Sequence, residues 1–330
     1  MVWKELLYRS VIVSLFFMAS CTRGELPIEP HASGNVTKAG VDLDPTYKYQ
    51  VYYDLRTNTV VGRNIKSVWD IGLETTADGY HVVLNGSKAM FAFATAKTDL
   101  SAVSFADTAG YAAGKKCDSH TGSPDSTAIG DWRTTKPVYI IDRGVNEMGQ
   151  QVGWAKLQVL SVTDSSYQVR FASLDNTGEA TTITVRKDSA YNLAFVSFTT
   201  NEQFLVEPPK HTWDLTFTQY TFIFYDQTPP VPYLVTGCLL NRYNTVAYLD
   251  TATSFADISY GNIKTGELTN DINTIGYDWK VYTSSGNYVV RAKNSYVIRD
   301  ADGIYYKLHF TGFYSATGAK GSPQWEFQQL

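Results

Sequence analysis

Apolar and polar residues alternate in short runs along most of this chain. In Trp213-Asp214-Leu215-Thr216-Phe217, the residues Trp213, Leu215 and Phe217 fall on one side and Asp214 and Thr216 on the other. That period of two marks a half-buried strand. Comparable runs include Tyr80-His81-Val82-Val83-Leu84, Tyr139-Ile140-Ile141-Asp142 and Tyr167-Gln168-Val169-Arg170-Phe171. Asp78-Gly79 and Asp302-Gly303 supply turn signals beside such runs. Long amphipathic helices are hard to find beyond the N-terminus, so the pattern predicts an all-β, antiparallel fold.

The strand pattern is written twice. Val68-Trp69-Asp70-Ile71-Gly72-Leu73 matches Thr212-Trp213-Asp214-Leu215-Thr216-Phe217, with the tryptophans 144 positions apart (213 minus 69). Each copy follows a strand-like run, Tyr52-Tyr53-Asp54-Leu55 before the first and Phe195-Val196-Ser197-Phe198 before the second. Tyr139-Ile140-Ile141-Asp142 and Lys156-Leu157-Gln158-Val159 then match Tyr296-Val297-Ile298-Arg299 and Lys307-Leu308-His309-Phe310. Four elements in one order argue for two related domains, expected at residues 46–178 and 179–330. The spacing is far longer than the roughly 40–45 residues of a propeller blade. Each Trp reads as the anchor of its own β core, and the second domain is expected to fold alone.

Residues 1–20 read as a signal peptide. Lys4 and Arg9 precede an apolar stretch, Val11 to Ala19, that is too short for the roughly 20 residues of a membrane span. It ends in Met18-Ala19-Ser20-Cys21, small residues before a Cys, the pattern of a bacterial lipoprotein signal. Cys21 is therefore the expected lipid attachment point, anchoring the chain to a membrane surface. Residues 21–45, with Pro27, Pro30, Gly34, Gly40 and Pro45, read as a flexible tether.

Two long insertions interrupt the strands. The first, Asn85 to Lys136, is rich in glycine; a loop of that length inside a compact domain is usually functional or mobile. The second, Asp226 to Asn294, opens on Pro229-Pro230-Val231-Pro232 and carries Tyr233, Tyr243, Tyr248, Tyr260, Tyr277, Tyr282 and Tyr288. Each holds one further cysteine, Cys117 and Cys238. A disulfide between the two domains and a pair of free thiols are both open.

Composition narrows the function. Against 28 Lys and Arg stand 32 Asp and Glu, a formal net charge of −4 with no basic stripe, which argues against nucleic acid. No Gly-rich phosphate loop, His-Glu-x-x-His or Gly-x-Ser-x-Gly is present, so no enzyme is expected. Tyrosine is plentiful, with 23 residues, and suits pleated surfaces and contact with sugars or proteins.

The second copy resembles the HmuY family of haem-binding lipoproteins. The resemblance is carried by Phe195-Val196-Ser197-Phe198, by Trp213 to Phe217, by Tyr296 to Gly303 and by Tyr306-Lys307-Leu308-His309-Phe310-Thr311. The first copy is similar through its own Trp-Asp and Tyr-Ile-Ile strands. The resemblance implies two tandem HmuY-like β domains. It also implies an outer-membrane, lipid-anchored protein that grips haem or another porphyrin and passes it to a TonB-dependent receptor. Iron in that family is held by paired His or Met, and haem iron needs such a lone-pair donor. The second insertion has neither, so the axial candidates are His120 and Met90 of the first, with Lys115, Lys116 and Arg133 as candidate partners of the propionates. No metal other than haem iron is implied. His211 and His309 read as structural histidines, and Met90, next to Phe91 in an apolar run, reads first as core. The rival reading is a surface accessory lipoprotein that binds glycan or protein through its tyrosine-rich loops.

Overall fold

The computed structural model describes residues 33–330. The signal peptide, Cys21 and His31 lie outside the described residues. The first repeat supplies nine strands: β1 (Thr37–Gly40), β2 (Tyr49–Asp54), β3 (Thr59–Ile65), β4 (Ile71–Glu74), β5 (Val82–Leu84), β6 (Phe91–Ala94), β7 (Tyr139–Asp142), β8 (Trp154–Val162) and β9 (Ser166–Ser173). The second supplies β10 (Thr181–Arg186), β11 (Leu193–Ser197), β12 (Glu202–Phe204), β13 (Leu215–Phe224), β14 (Val231–Leu240), β15 (Val246–Asp250), β16 (Lys280–Tyr282), β17 (Tyr288–Val290), β18 (Ser295–Arg299), β19 (Tyr305–Tyr314) and β20 (Lys320–Gln329). All their pairings are antiparallel, as the alternation predicts.

The sheets form two lobes of one plan. In the central lobe the order β10-β9-β8-β7-β6 faces β12-β11-β4-β5; in the terminal lobe β1-β20-β19-β18-β15 faces β3-β2-β13-β14. Strand for strand, β1, β2 and β3 occupy in the terminal lobe the places that β10, β11 and β12 occupy in the central one. Each repeat has therefore lent its first three strands to the other. The division near residue 178 separates the repeats in sequence but not the lobes in space. The central core gathers Ile71, Leu73, Leu84, Ile141, Leu157, Val169, Val196 and Phe198. The terminal core joins Val51, Tyr53 and Leu55 to Phe217, Trp279, Phe310 and Trp325. Residues 33–330 make one unit, and the exchange argues against a second domain that folds alone.

The repeated residues explain how the exchange is held. The Asp70 amide donates to the Val196 carbonyl at 2.8 Å and its carboxylate accepts from the Phe198 amide at 2.7 Å. In the other lobe the Asp214 amide donates to Tyr53 at 2.9 Å and its carboxylate accepts from Leu55 at 2.8 Å. Asn85 ties the Lys66 and Trp69 carbonyls together, both at 2.8 Å; Asn241 does the same for Lys210 and Trp213 at 2.8 and 2.7 Å. The matched lysines also share a task. Lys156 Nζ donates to the Val103 carbonyl at 2.9 Å and Lys307 Nζ to Ile258 at 2.8 Å, each pinning a loop from inside a sheet. A buried ammonium is tolerated only when so satisfied.

The tether is shorter than expected. Ala39, Val41 and Leu43 alternate with Lys38, Gly40 and Asp42, so this stretch forms edge strand β1 on β20 and buries Val41 and Leu43. The second insertion also begins as a strand: β14 pairs with β13 along ten residues, from Leu215 with Leu240 to Phe224 with Val231. The proline run is the mouth of that hairpin. Cys117 and Cys238 are free thiols.

The exchange fixes which fragment can stand alone. A chain of residues 67–208 holds both sheets of the central lobe and is expected to show dispersed amide resonances and cooperative unfolding. A chain beginning at Gly178 lacks β1 to β3, leaves β10 without β9 and β11 without β4, and is expected to remain unfolded. Dispersed resonances from that second fragment would show that its first three strands close on their own repeat.

Candidate functional site

Where the exchanged strands cross, the lobes enclose a cavity of about 150 Å³. Trp69, Leu84 and Met90 line it from the central lobe and Tyr52, Trp213 and Thr216 from the terminal lobe. The first insertion contributes Cys117, Asp118 and His120, and the β14 end contributes Arg242. Its walls hold three buried polar atoms with no hydrogen-bond partner: His120 Nδ1, Trp213 Nε1 and Thr216 Oγ1. Most buried polar groups are paired, so three in one mainly apolar cavity set this part of the seam apart. The repeat shows how one arose. Trp69 Nε1 donates to Gln50 Oε1 at 3.0 Å. The position equivalent to Gln50 is Leu193, which lines the cavity and offers no acceptor.

Charge in this cavity is poorly compensated. Burial pushes Glu207 up to about 7, although the Asn192 and Leu193 amides donate to it at 2.6 and 2.9 Å. Burial likewise lifts Asp118 to about 6, against the Ala128 and Leu84 amides at 2.7 Å. Arg242 makes a single side-chain hydrogen bond, to the Gly122 carbonyl at 3.2 Å.

The His120 loop is stapled across the seam. Ile272 of the terminal lobe donates its amide to Thr121 at 3.0 Å. Gly122, at φ +74°, lies so close to Ile272 that a Cβ would stand 2.7 Å from its Cδ1, so only glycine fits there. The His120 ring tilts over Phe222 with centroids 4.1 Å apart and stands 6.3 Å from Tyr225. Its Nδ1 is buried and has no hydrogen-bond partner among the described residues. Desolvation lowers its pKa, with Asp271 opposing, which favours the neutral imidazole and its lone pair. Outward, His120 borders an open shelf of about 470 Å³ lined by Phe222, Phe224, Tyr225 and Tyr277.

The other predicted residues lie elsewhere. Met90 reaches the enclosed cavity but is only 1% exposed, its thioether packed in the central core. Lys115 sits over the rings of Phe91 and Tyr111, at 4.5 and 5.5 Å. The Lys116 backbone bridges Ala92. Arg133 pairs with Asp131 at 2.6 Å and covers the Tyr80 ring. None of these three cations lines the cavity or the shelf. His309 is structural, bonded to Glu326 at 3.2 Å and stacked on Phe255. His211 packs edge-on against Tyr243.

A second depression adjoins the shelf through Phe224 and Tyr277. It is a groove of about 1000 Å³ between β14 and the β16–β17 hairpin, and Tyr47, Tyr233, Tyr282, Tyr288 and Tyr314 line it with Lys280 and Arg291. Sequence reasoning noticed the tyrosines but missed Arg242, Glu207 and Trp213 as cavity walls, because only strand exchange brings them together. Among the described residues no group of three or more His, Cys, Asp or Glu gathers as a metal site, and no helix is long and apolar enough to cross a membrane.

Comparison with known proteins agrees with the strand pattern. A family model described as HmuY protein matches residues 46–187 and 236–327. Among solved structures, the chain is similar to apo PinO from Porphyromonas gingivitis, at 9% identity over 90% of this chain and 97% of that one, with a TM-score of 0.26. It is also similar to the apo HmuY analog of Tannerella forsythia, at 12% identity over 90% and 98%, with a TM-score of 0.24. No curated protein matches.

The buried carboxyls set a pH dependence. A carboxyl whose pKa is raised in the folded state gives stability that is fully present below its unfolded value and lost as pH rises through the folded one. Glu207 and Asp118, and Asp214 at about 7 through burial, share that sign. Denaturant midpoints are therefore expected to fall between pH 5 and pH 8. Glu207→Gln is expected to flatten the fall by on the order of 3 kcal/mol at most, whereas an unchanged slope would remove Glu207 from this account.

Proposed function

The chain belongs to the HmuY family, and from that premise we propose that it is a lipid-anchored binding protein for haem or another porphyrin, with His120 as the axial donor. The observation that carries this reading is the place of the His120 ring, unbonded at Nδ1, tilted over Phe222 and set beside an open aromatic shelf. Haem iron requires a lone-pair donor of this kind. The shelf offers the flat apolar contact a macrocycle needs, through Phe222, Phe224, Tyr225 and Tyr277. The enclosed cavity, at about 150 Å³, is smaller than the several hundred Å³ typical of ligand pockets, so the macrocycle belongs on the shelf and not inside. A bound haem would supply the redox and ligand-exchange chemistry of its iron.

The chain's own residues would hold and orient that group. Phe222 fixes the His120 ring plane, and the Gly122–Ile272 contact fixes its loop. Met90 keeps its place in the core and serves packing. The three cations read from sequence do not line the shelf, so the propionates are left to solvent. The Ala19-Ser20-Cys21 pattern supports a lipid anchor at the outer membrane, and family membership supports delivery of the ligand to a TonB-dependent transporter.

Titration with haemin is expected to give a saturable Soret shift at micromolar concentration. His120→Ala is expected to abolish the ligand-dependent spectrum, while Met90→Leu leaves it in place. A spectrum that survives His120→Ala would move the site elsewhere, and no Soret shift at all would remove haem from the function.

Replacing Cys21 with Ala is expected to release the protein from the membrane fraction with its fold intact. Retention of that variant after a high-salt wash would count against the anchor.

A further inference from the structure

We propose that the groove between β14 and the β16–β17 hairpin is a second binding site, for a neutral oligosaccharide, distinct from the His120 shelf. Its rings are presented outward as platforms: Tyr233 is 62% and Tyr282 63% exposed. Tyr282 and Tyr288 lie 5.0 Å apart across the hairpin. Rings this exposed gain nothing for the core, and a tyrosine face is apolar with a polar tip. A pyranose has the matching character: one face of C–H groups that rests on a ring, and a rim of hydroxyls.

The polar residues of the groove suit that rim. Asn287 has an exposed side-chain amide with no hydrogen-bond partner among the described residues, and Arg291 is fixed beside the groove by its bond to Asp278 at 3.0 Å. Tyr47 lines the groove beside Tyr288. Planar amide, carboxylate and guanidinium groups each meet two neighbouring hydroxyls. Lys280 is spent on the Thr236 carbonyl and the Trp279 ring, and Arg291 on Asp278, so little free charge is left for an anion.

Two other occupants fit less well. No His, Met or Cys lines the groove, and burial raises the pKa of the Tyr277 and Tyr288 phenols, so a phenolate donor to iron is missing at neutral pH. A protein partner usually covers about 800 Å² of surface on each side, which a concave slot between one strand and a hairpin does not present.

The test uses maltohexaose, cellohexaose, laminarihexaose and β-mannohexaose with the purified protein, read by saturation-transfer NMR and calorimetry. At least one hexasaccharide is expected to bind. Tyr233→Ala and Tyr282→Ala are each expected to weaken it about tenfold, Tyr282→Phe to retain it, and Tyr260→Ala, an exposed tyrosine outside the groove, to leave it unchanged. Absence of saturation transfer from all four sugars would overturn the proposal. So would equal weakening by Tyr260→Ala, or loss of haemin binding in the Tyr233 and Tyr282 variants. Haemin binding at His120 is read separately, so either site can fail alone.

Discussion

Everything in this fold depends on two aspartates that hold strands borrowed from the other repeat. A strand that crosses from one repeat to the other returns only backbone hydrogen bonds and side-chain burial for its loop-closure entropy. Asp70 and Asp214 add an acceptor at the first residue past the register, bonding Phe198 and Leu55. At Asp70 the clasp is charged. Burial works against its ionised form, but Lys88 at 2.5 Å and Arg143 at 3.0 Å outweigh it and hold its pKa low. Removing one member of such a group strands the others in a dry interior, a loss of roughly 3–5 kcal/mol. The clasp is therefore more costly to break than to build.

The two clasps are not equal, and the cavity lies where they differ. Asp214 has no counterpart to the Lys88 and Arg143 pair; its carboxyl sits near Asp300 and is pushed up to about 7 chiefly by burial. Trp69 has its Gln50 acceptor, whereas Trp213 faces Leu193. One copy of the motif thus spends its polar groups on cohesion. The other leaves them at the lobe seam, beside the loop that carries His120. In a duplicated fold, that is where stability can be given up for binding, because the first copy still secures the exchange.

How much of this was legible follows from the range of each interaction. The hairpins β4–β5, β7–β8 and β18–β19 were readable because turn and alternation are local. The repeat was readable because Trp69 and Trp213, and Lys156 and Lys307, recur in order. The exchange was not. Tyr52-Tyr53-Asp54-Leu55 and Phe195-Val196-Ser197-Phe198 are near-equivalent strands, and either could complete either lobe by pattern alone. What separates the two closures is non-local. The chain between β9 and β10 is short, so β10 folds back on its neighbour and commits β11 and β12 to the central lobe. Val41 and Leu43 were passed over because prolines and glycines around them resemble a linker.

The same distinction governs the site. His120 could be singled out as a candidate because few donors exist in the insertions, but its protonation state depends on Phe222 and the desolvating seam, which are distant in sequence. Lys115, Lys116 and Arg133 share its insertion and still point elsewhere, since each is captured by a nearer ring, strand or carboxylate. Proximity in sequence therefore predicted a ligand shell that packing dispersed. The groups that surround His120 come from β13 and the segment after β15, which belong to the terminal lobe and meet its loop at the seam. A ligand resting on Phe222 and His120 would touch both lobes at once and stabilise the arrangement of the two that makes the shelf.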